Sequence, residues 1–420
     1  MRLLYSLMWW LALPLVLGRL WWRGRAEPGY RARLGERLGC YGRRAAQARP
    51  AIMVHAVSVG ETRAAEPLVE ALLAAYPDHR ILLTHMTPTG RATGKALFAR
   101  HGERVVQSWL PYDTGFMVGR FLRHFAPRIC ILMETEVWPN LIHGCAAHGV
   151  PVALVNARLS ERSLRRGIRL GGLMTDAARA IPLVAAQTEA DAARIASLGA
   201  PAVHVTGSIK FDVVPPAAAL ETGAMLRAHC GGRPVLLCAS TREGEEALIL
   251  DAFAAMRRPP GMLLLLVPRH PQRFDEVARM AQERSLSLAR RSHLPARVET
   301  DVLLGDSMGE MFAYYAACDC AFIGGSLLPL GGQNLIEACA LGKPVLVGEH
   351  TFNFLDATEE AVATGGALRV ADAGALLREA ARLLEDGEAR AAMGARALAF
   401  AARHRGATAR TVELLQRYIA

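Results

Sequence analysis

The chain has 420 residues, 52% hydrophobic and 21% charged, which is more than one core usually accommodates and enough apolar material for two; a largely disordered protein is excluded. Forty-nine basic against 39 acidic side chains give a formal charge of +10, an excess that favours an anionic surface or substrate. No zinc-finger spacing or RNA-binding signature accompanies it, so nucleic acid is not expected as a partner.

The chain opens on an uncharged stretch, Leu3 to Gly18, extended past Arg19 by Leu20, Trp21 and Trp22. At about 1.5 Å per helical residue this is close to the thickness of a bilayer core. Trp9, Trp10, Trp21 and Trp22 suit the interface, and no small-residue cleavage signal follows, so residues 1–25 are expected to form a retained membrane-anchor helix. The basic flank of Arg19, Arg23, Arg25, Arg31 and Arg33 places the main body on the cytoplasmic side by the positive-inside tendency. Eight cysteines lie mostly in apolar runs without Cys-x-x-Cys spacing, which reads as core residues of a reduced compartment and assigns no metal.

Beyond the anchor, short apolar runs alternate with helical patterns: Ile52 to Val57, Ile81 to Met86, Ile129 to Met133, Val152 to Val155, Leu183 to Ala186 and Val203 to Thr206. The rhythm pauses between Phe211 and Arg233, at Pro215, Pro216, Gly231 and Gly232, and resumes with Val235 to Ala239, Met262 to Val267, Val302 to Leu304, Ala321 to Ile323 and Val345 to Val347. Strand–helix alternation specifies parallel sheets with helical crossovers. The expected fold is α/β: two Rossmann-like doubly wound domains facing a cleft, 26–212 and 233–420, joined by a linker at 213–232. The last helix is free to pack back on the first domain. No Gly-x-Gly-x-x-Gly or Walker loop follows any strand, which excludes the usual dinucleotide and P-loop signatures.

Ligands in such sheets collect beyond the carboxyl ends of the strands, so chemistry is sought in those loops. The first strand leads into Ser58-Val59-Gly60-Glu61, placing a carboxylate at a helix start, where it serves equally as a capping or macrodipole partner. Ile129 to Met133 runs into Glu134-Thr135-Glu136-Val137-Trp138-Pro139-Asn140, two carboxylates that either shift each other's pKa or bind neighbouring Arg. Only three Lys occur, Lys95, Lys210 and Lys343; Lys210, in Gly207-Ser208-Ile209-Lys210-Phe211-Asp212, is the candidate for a task that a planar guanidinium would not serve.

Three loops of the second half suit a nucleotide: Pro268-Arg269-His270, Gly305-Asp306-Ser307-Met308-Gly309-Glu310, and Gly324-Gly325 through Gly331-Gly332-Gln333-Asn334-Leu335-Ile336-Glu337. Glycines let backbone approach a phosphate and Glu337 is placed to accept a ribose hydroxyl; an ordinary glycine-rich loop with Asn334 as N-cap is the competing reading. Arg158, Arg162, Arg165, Arg166 and Arg169 suit phosphates or anionic headgroups, or form a solvated helix face.

At these residues, together with Gly29-Tyr30-Arg31-Ala32-Arg33-Leu34-Gly35-Glu36-Arg37, the sequence resembles the 3-deoxy-D-manno-octulosonic acid (Kdo) transferases along almost its whole length. The resemblance implies a GT-B glycosyltransferase that moves Kdo from CMP-Kdo to a lipid A precursor, lipid IVA, with inversion and without metal or other cofactor. It implies an inner-membrane location with catalytic domains in the cytoplasm, and inner-membrane lipids as partners. It implies Glu61 as general base, Glu134 and Lys210 as support for the transition state, and CMP contacts from Pro268, Arg269, His270, Met308, Gly309, Glu310, Asn334, Leu335, Ile336 and Glu337. Gln333 departs from the His expected in many relatives. The competing readings are a UDP-sugar transferase acting on another lipid and a non-catalytic membrane-bound relative.

Overall fold

The computed structural model describes residues 1–42, 49–169 and 171–419. They divide into two compact units, Met1–Val213 with Arg405–Ala420, and Val214–His404. The first unit is built on seven strands: β1 (Ala51–His55), β2 (Arg80–His85), β3 (Val105–Trp109), β4 (Pro127–Met133), β5 (Val152–Ala157), β6 (Leu183–Ala186) and β7 (Val203–Val205). All pair in parallel, in the order β3-β2-β1-β4-β5-β6-β7. Helices cover both faces: Ile52, Val54, Ile129 and Ile131 pack with Leu68 and Leu72 on one side, Met53, Cys130 and Leu132 with Phe121 and Ile142 on the other. Burial on both faces is why the central strands read as unbroken apolar runs.

The second unit carries β8 (Val235–Thr241), β9 (Leu263–Pro268), β10 (Leu288–Arg290), β11 (Val302–Leu304), β12 (Cys320–Ile323), β13 (Val345–Val347) and β14 (Ala367–Arg369), again all parallel, in the order β10-β11-β9-β8-β12-β13-β14. Both sheets are therefore doubly wound. β3, β10 and β14 escaped the sequence reading because they lie at sheet edges, where half-burial replaces the continuous apolar run.

The stretch 213–232, expected as a linker, holds instead a helix, Ala217–His229, that belongs to the second unit. Pro216 is its N-cap, while Gly231 and Gly232, both at positive φ, follow its end. These residues punctuate the ends of a helix and do not interrupt the chain's order. A Cβ at Gly223 would lie 2.8 Å from Ala313 O, so the helix packs closely on Met311–Ala317. The closing helix, Ala407–Ile419, returns to the first unit, where Leu415 and Ile419 join the core around Leu68 and Leu72. Asp212 fastens its start by accepting from Gly406 N and Thr408 N at 2.6 and 2.5 Å.

The amino-terminal helix, Arg2–Ala26, is long and apolar enough to cross a membrane. Leu3, Leu7, Leu11, Leu15, Trp21 and Trp22 are exposed. Near its start Tyr5 donates to Asp113 Oδ2 at 3.0 Å and Trp9 packs on Tyr112; near its end Arg31 lies over the Trp21 ring at 4.1 Å.

Candidate active site

In the first sheet the strand order reverses between β1 and β4, so the loops leaving those two strands flank the position where doubly wound sheets bind ligands. Glu61 follows β1 and Glu134 follows β4.

Glu61 sits in the first turn of the helix Val59–Ala64, capped by Ser58. Its Oε2 accepts from Val57 N at 2.7 Å and its Oε1 from the Ser58 hydroxyl at 3.3 Å, so the carboxylate pairs with the two residues that lead into the helix. The structural role that competed in the sequence is therefore real. It coexists with a second property: burial pushes the carboxyl up to about 7, against the Val57 N–H that lowers it, and Glu136 and Glu134 push it further up. A carboxyl poised near neutrality is suited to general acid–base work.

Glu134 adopts a left-handed backbone, φ 54°, and its Oε1 lies 2.7 Å from Lys210 Nζ. Lys210 comes from the short helical turn Ile209–Asp212 after β7. Glu136, two residues on from Glu134, accepts from the Trp138 indole at 2.9 Å. Burial raises its pKa, and Glu134 adds to the rise. Behind it His55 is fully buried, its Nδ1 paired with Thr84 Oγ1 at 2.9 Å and its Nε2 without a hydrogen bond, 3.9 Å from Glu136 Oε2. Burial, followed by the neighbouring His85, holds the His55 ring neutral, with its pKa down to about 3.

In the second unit Pro268 ends β9 and Arg269 N donates to Thr241 O at 2.9 Å, binding the loops after β8 and β9 together. His270 is exposed, and partial desolvation of its ring, with the charges of Arg242, Arg269 and Arg273, lowers its pKa. Met308 is exposed and Gly309 has φ 85°. Glu310 pairs with Arg291 at 3.0 Å and accepts from the Ser307 hydroxyl. Asn334 Oδ1 accepts from Ile336 N at 3.0 Å, and its Nδ2 donates to Glu337 Oε1 at 3.2 Å. The side chains of Leu335 and Ile336 are buried. The helix Met311–Ala317 joins two of these segments: it starts at Glu310, and its Tyr315 hydroxyl reaches Asn334 O at 3.5 Å.

The first glycine pair does not do what the sequence suggested. The fully buried Glu245 side chain accepts from Gly325 N at 2.6 Å, Leu327 N at 3.0 Å and Arg242 N at 2.9 Å, so an internal acceptor occupies those donors. Gly324 is required for a different reason, since a Cβ there would lie 2.6 Å from Ser240 O. Sequence reading passed over Glu245 because Glu-Gly-Glu-Glu at a helix start looks like an ordinary acidic first turn. The basic helix Glu161–Arg169 buries no residue, which leaves Arg162, Arg165, Arg166 and Arg169 on a solvated surface.

Comparison with known proteins decides the family. A 3-deoxy-D-manno-octulosonic acid transferase from Bordetella pertussis is 49% identical over 97% of this chain and 96% of its own. The chain belongs to the 3-deoxy-D-manno-octulosonic acid transferase family. A second member, from Haemophilus influenzae, is 39% identical over all of this chain and 99% of its own. A family model described as 3-deoxy-D-manno-octulosonic-acid transferase (kdotransferase) matches residues 32–213, and one described as glycosyl transferases group 1 matches 282–400. Among solved structures, Anabaena HepE in complex with UDP superposes with a TM-score of 0.60 at 16% identity over 88% of this chain and all of that one, a likeness of fold. The chain is thus a GT-B glycosyltransferase, a Kdo transferase.

Proposed function

We propose that this Kdo transferase moves Kdo from CMP-Kdo to lipid IVA or a related lipid A precursor, with inversion and without a metal ion, at the cytoplasmic face of the inner membrane. Glu61 is the general base: it takes the acceptor hydroxyl proton as that oxygen bonds to the anomeric carbon and CMP departs with the bonding pair. The observation that carries this reading is a carboxyl raised to about 7 beside the Glu134–Lys210 ion pair, in a chain of this family. A sugar hydroxyl is a poor nucleophile, and a positioned base of matched pKa contributes roughly 10²- to 10⁴-fold. Lys210, held by Glu134, supplies a compact positive charge of the kind that offsets negative charge developing in the transition state.

Pro268, Arg269 and His270, with Met308 to Glu310 and Asn334 to Glu337, are the residues assigned to CMP. Their positions at and just after the end of β9, after β11, and in the loop and helix start beyond β12 agree with ligand binding at strand carboxyl ends. Asn334 pairs with Glu337, which restrains the carboxylate assigned to a ribose hydroxyl. The exposed apolar face of Arg2–Ala26 supports a membrane location.

The test is sugar transfer in EDTA from CMP-Kdo, and separately from UDP-sugars, to the tetra-acylated disaccharide bisphosphate, with products resolved by mass. Transfer from CMP-Kdo alone is expected. Turnover of a UDP-sugar without CMP-Kdo turnover, or restoration of activity only by added metal, would contradict the proposal.

A further inference from the structure

Glu134 and Lys210 come from loops far apart in the chain, and one buried side chain lies between them. Asn156, at the end of β5, has no exposed surface. Its Oδ1 accepts from Ile209 N at 3.1 Å, the residue before Lys210. Its Nδ2 donates to Glu134 Oε1 at 3.5 Å, the same oxygen that Lys210 Nζ approaches at 2.7 Å. Its carbonyl accepts from Gln187 Nε2 at 2.9 Å, which ties the loop after β6 to the same point.

The backbone is shaped for this. The β5–β6 register shifts between Val155 and Ala157, so Asn156 bulges out of the ladder, and its φ is 52°. A bulge re-aims a side chain, and Asn is among the few non-glycine residues that tolerate the left-handed region. Glu134 is also left-handed and is held by its N–H on Val155 O at 3.0 Å. The amide of Asn156 matches both neighbours at once: an acceptor for a backbone N–H and a donor for a carboxylate. Asp would keep the first and replace the second with a repelling charge.

We propose that Asn156 is a positioning residue that sets the geometry of the Glu134–Lys210 pair for transfer. The proposal rests on the reading of that pair given above. Asn156 is fully buried and acts through the two residues it aligns.

The test uses the full chain in the CMP-Kdo transfer assay, with Asn156→Asp and Asn156→Gly, which both tolerate the backbone, alone and combined with Lys210→Ala. Each single variant is expected to lose about 100-fold in kcat, with KM for CMP-Kdo within about threefold of wild type and thermal unfolding still cooperative. In the Lys210→Ala background, Asn156→Gly is expected to add less than about twofold, because the pair it aligns is already broken. Wild-type kcat in Asn156→Asp would overturn the proposal. So would a combined loss equal to the product of the single losses, which would show that Asn156 acts independently of Lys210, or failure of both variants to fold, which would assign Asn156 to stability alone. No transfer by the wild type would instead refute the reaction proposed above, so the two failures are distinguishable.

Discussion

Lys210 Nζ lies 2.7 Å from Glu134 Oε1, joining a loop that leaves β4 to a helical turn after β7. Both side chains are mostly buried, so the pair is shielded from screening that would make a surface ion pair negligible. Lys210→Ala and Glu134→Gln are each expected to lower kcat by about 10²-fold or more, with less than additive loss when combined. Lys210→Arg is expected to restore little, because a planar guanidinium replaces a compact ammonium. Steady-state kinetics on purified variants would check both, and full activity of Lys210→Arg would contradict the role of a point charge.

Glu61 titrates near 7 because burial and the charges of Glu136 and Glu134 oppose its ionisation. A base must be ionised, so kcat/KM is expected to rise with pH through an acid limb near 7. Glu136→Gln removes one opposing charge, and the limb is expected to move to lower pH while Trp138 keeps an acceptor. A pH–rate profile in which the limb stays in place would show that Glu136 does not act on Glu61.

The same shift has a stability consequence of opposite sign. A carboxyl raised from 4.5 in the unfolded chain to about 7 in the fold binds its proton more tightly when folded. Its favourable contribution is complete below the unfolded value and is lost as pH rises through about 7. Glu61→Gln, which stays neutral, is therefore expected to gain thermal stability relative to wild type near about pH 8.5 and to lose that advantage near about pH 4.5. Melting curves at the two pH values decide it; a constant difference would contradict the raised value.

Glu245 holds three backbone N–H groups in a fully buried site. Glu245→Ala leaves those donors unpaired and is expected to cost about 3 kcal/mol or more in unfolding free energy. CMP affinity is expected to fall as the loop from Gly324 onward loosens. Denaturant unfolding and calorimetric CMP titration check the two effects, and an unchanged melt would show that water replaces the carboxylate.

The amino-terminal helix, Arg2–Ala26, presents leucines outward while Tyr5 and Trp9 hold it to the first unit through Asp113 and Tyr112. Leu7→Glu with Leu11→Glu changes exposed positions only. The doubly substituted protein is expected to leave anionic vesicles for the supernatant on sedimentation while retaining cooperative unfolding. Undiminished pelleting would locate membrane binding elsewhere.

The central strands were legible because burial on both faces writes an unbroken apolar run, as at Ile129 to Met133 and Leu263 to Val267. Edge strands β3, β10 and β14 carry no such run. The loop positions of Glu61, Glu134 and Lys210 were legible from strand ends and from a lysine-poor composition. Their mutual effects were not, because desolvation and a 2.7 Å contact between residues of distant sequence exist only after folding. Gly324 and Gly325 misled for a related reason: whether a glycine opens space for a ligand or for neighbouring backbone depends on what packs against it. Asn156 did leave a signal, a polar residue ending the apolar run of β5, and its bulge gives that signal its meaning.

Glu61 as base is tested most directly by comparing wild type with Glu61→Ala and Glu61→Gln in transfer of labelled Kdo from CMP-Kdo to lipid IVA, with CMP binding measured on the same preparations. Transfer by the wild type, a fall of about 10²- to 10⁴-fold in both variants, and unchanged CMP affinity are expected. Transfer at the wild-type rate by either variant, with the protein folded and CMP bound, would contradict Glu61 as the base.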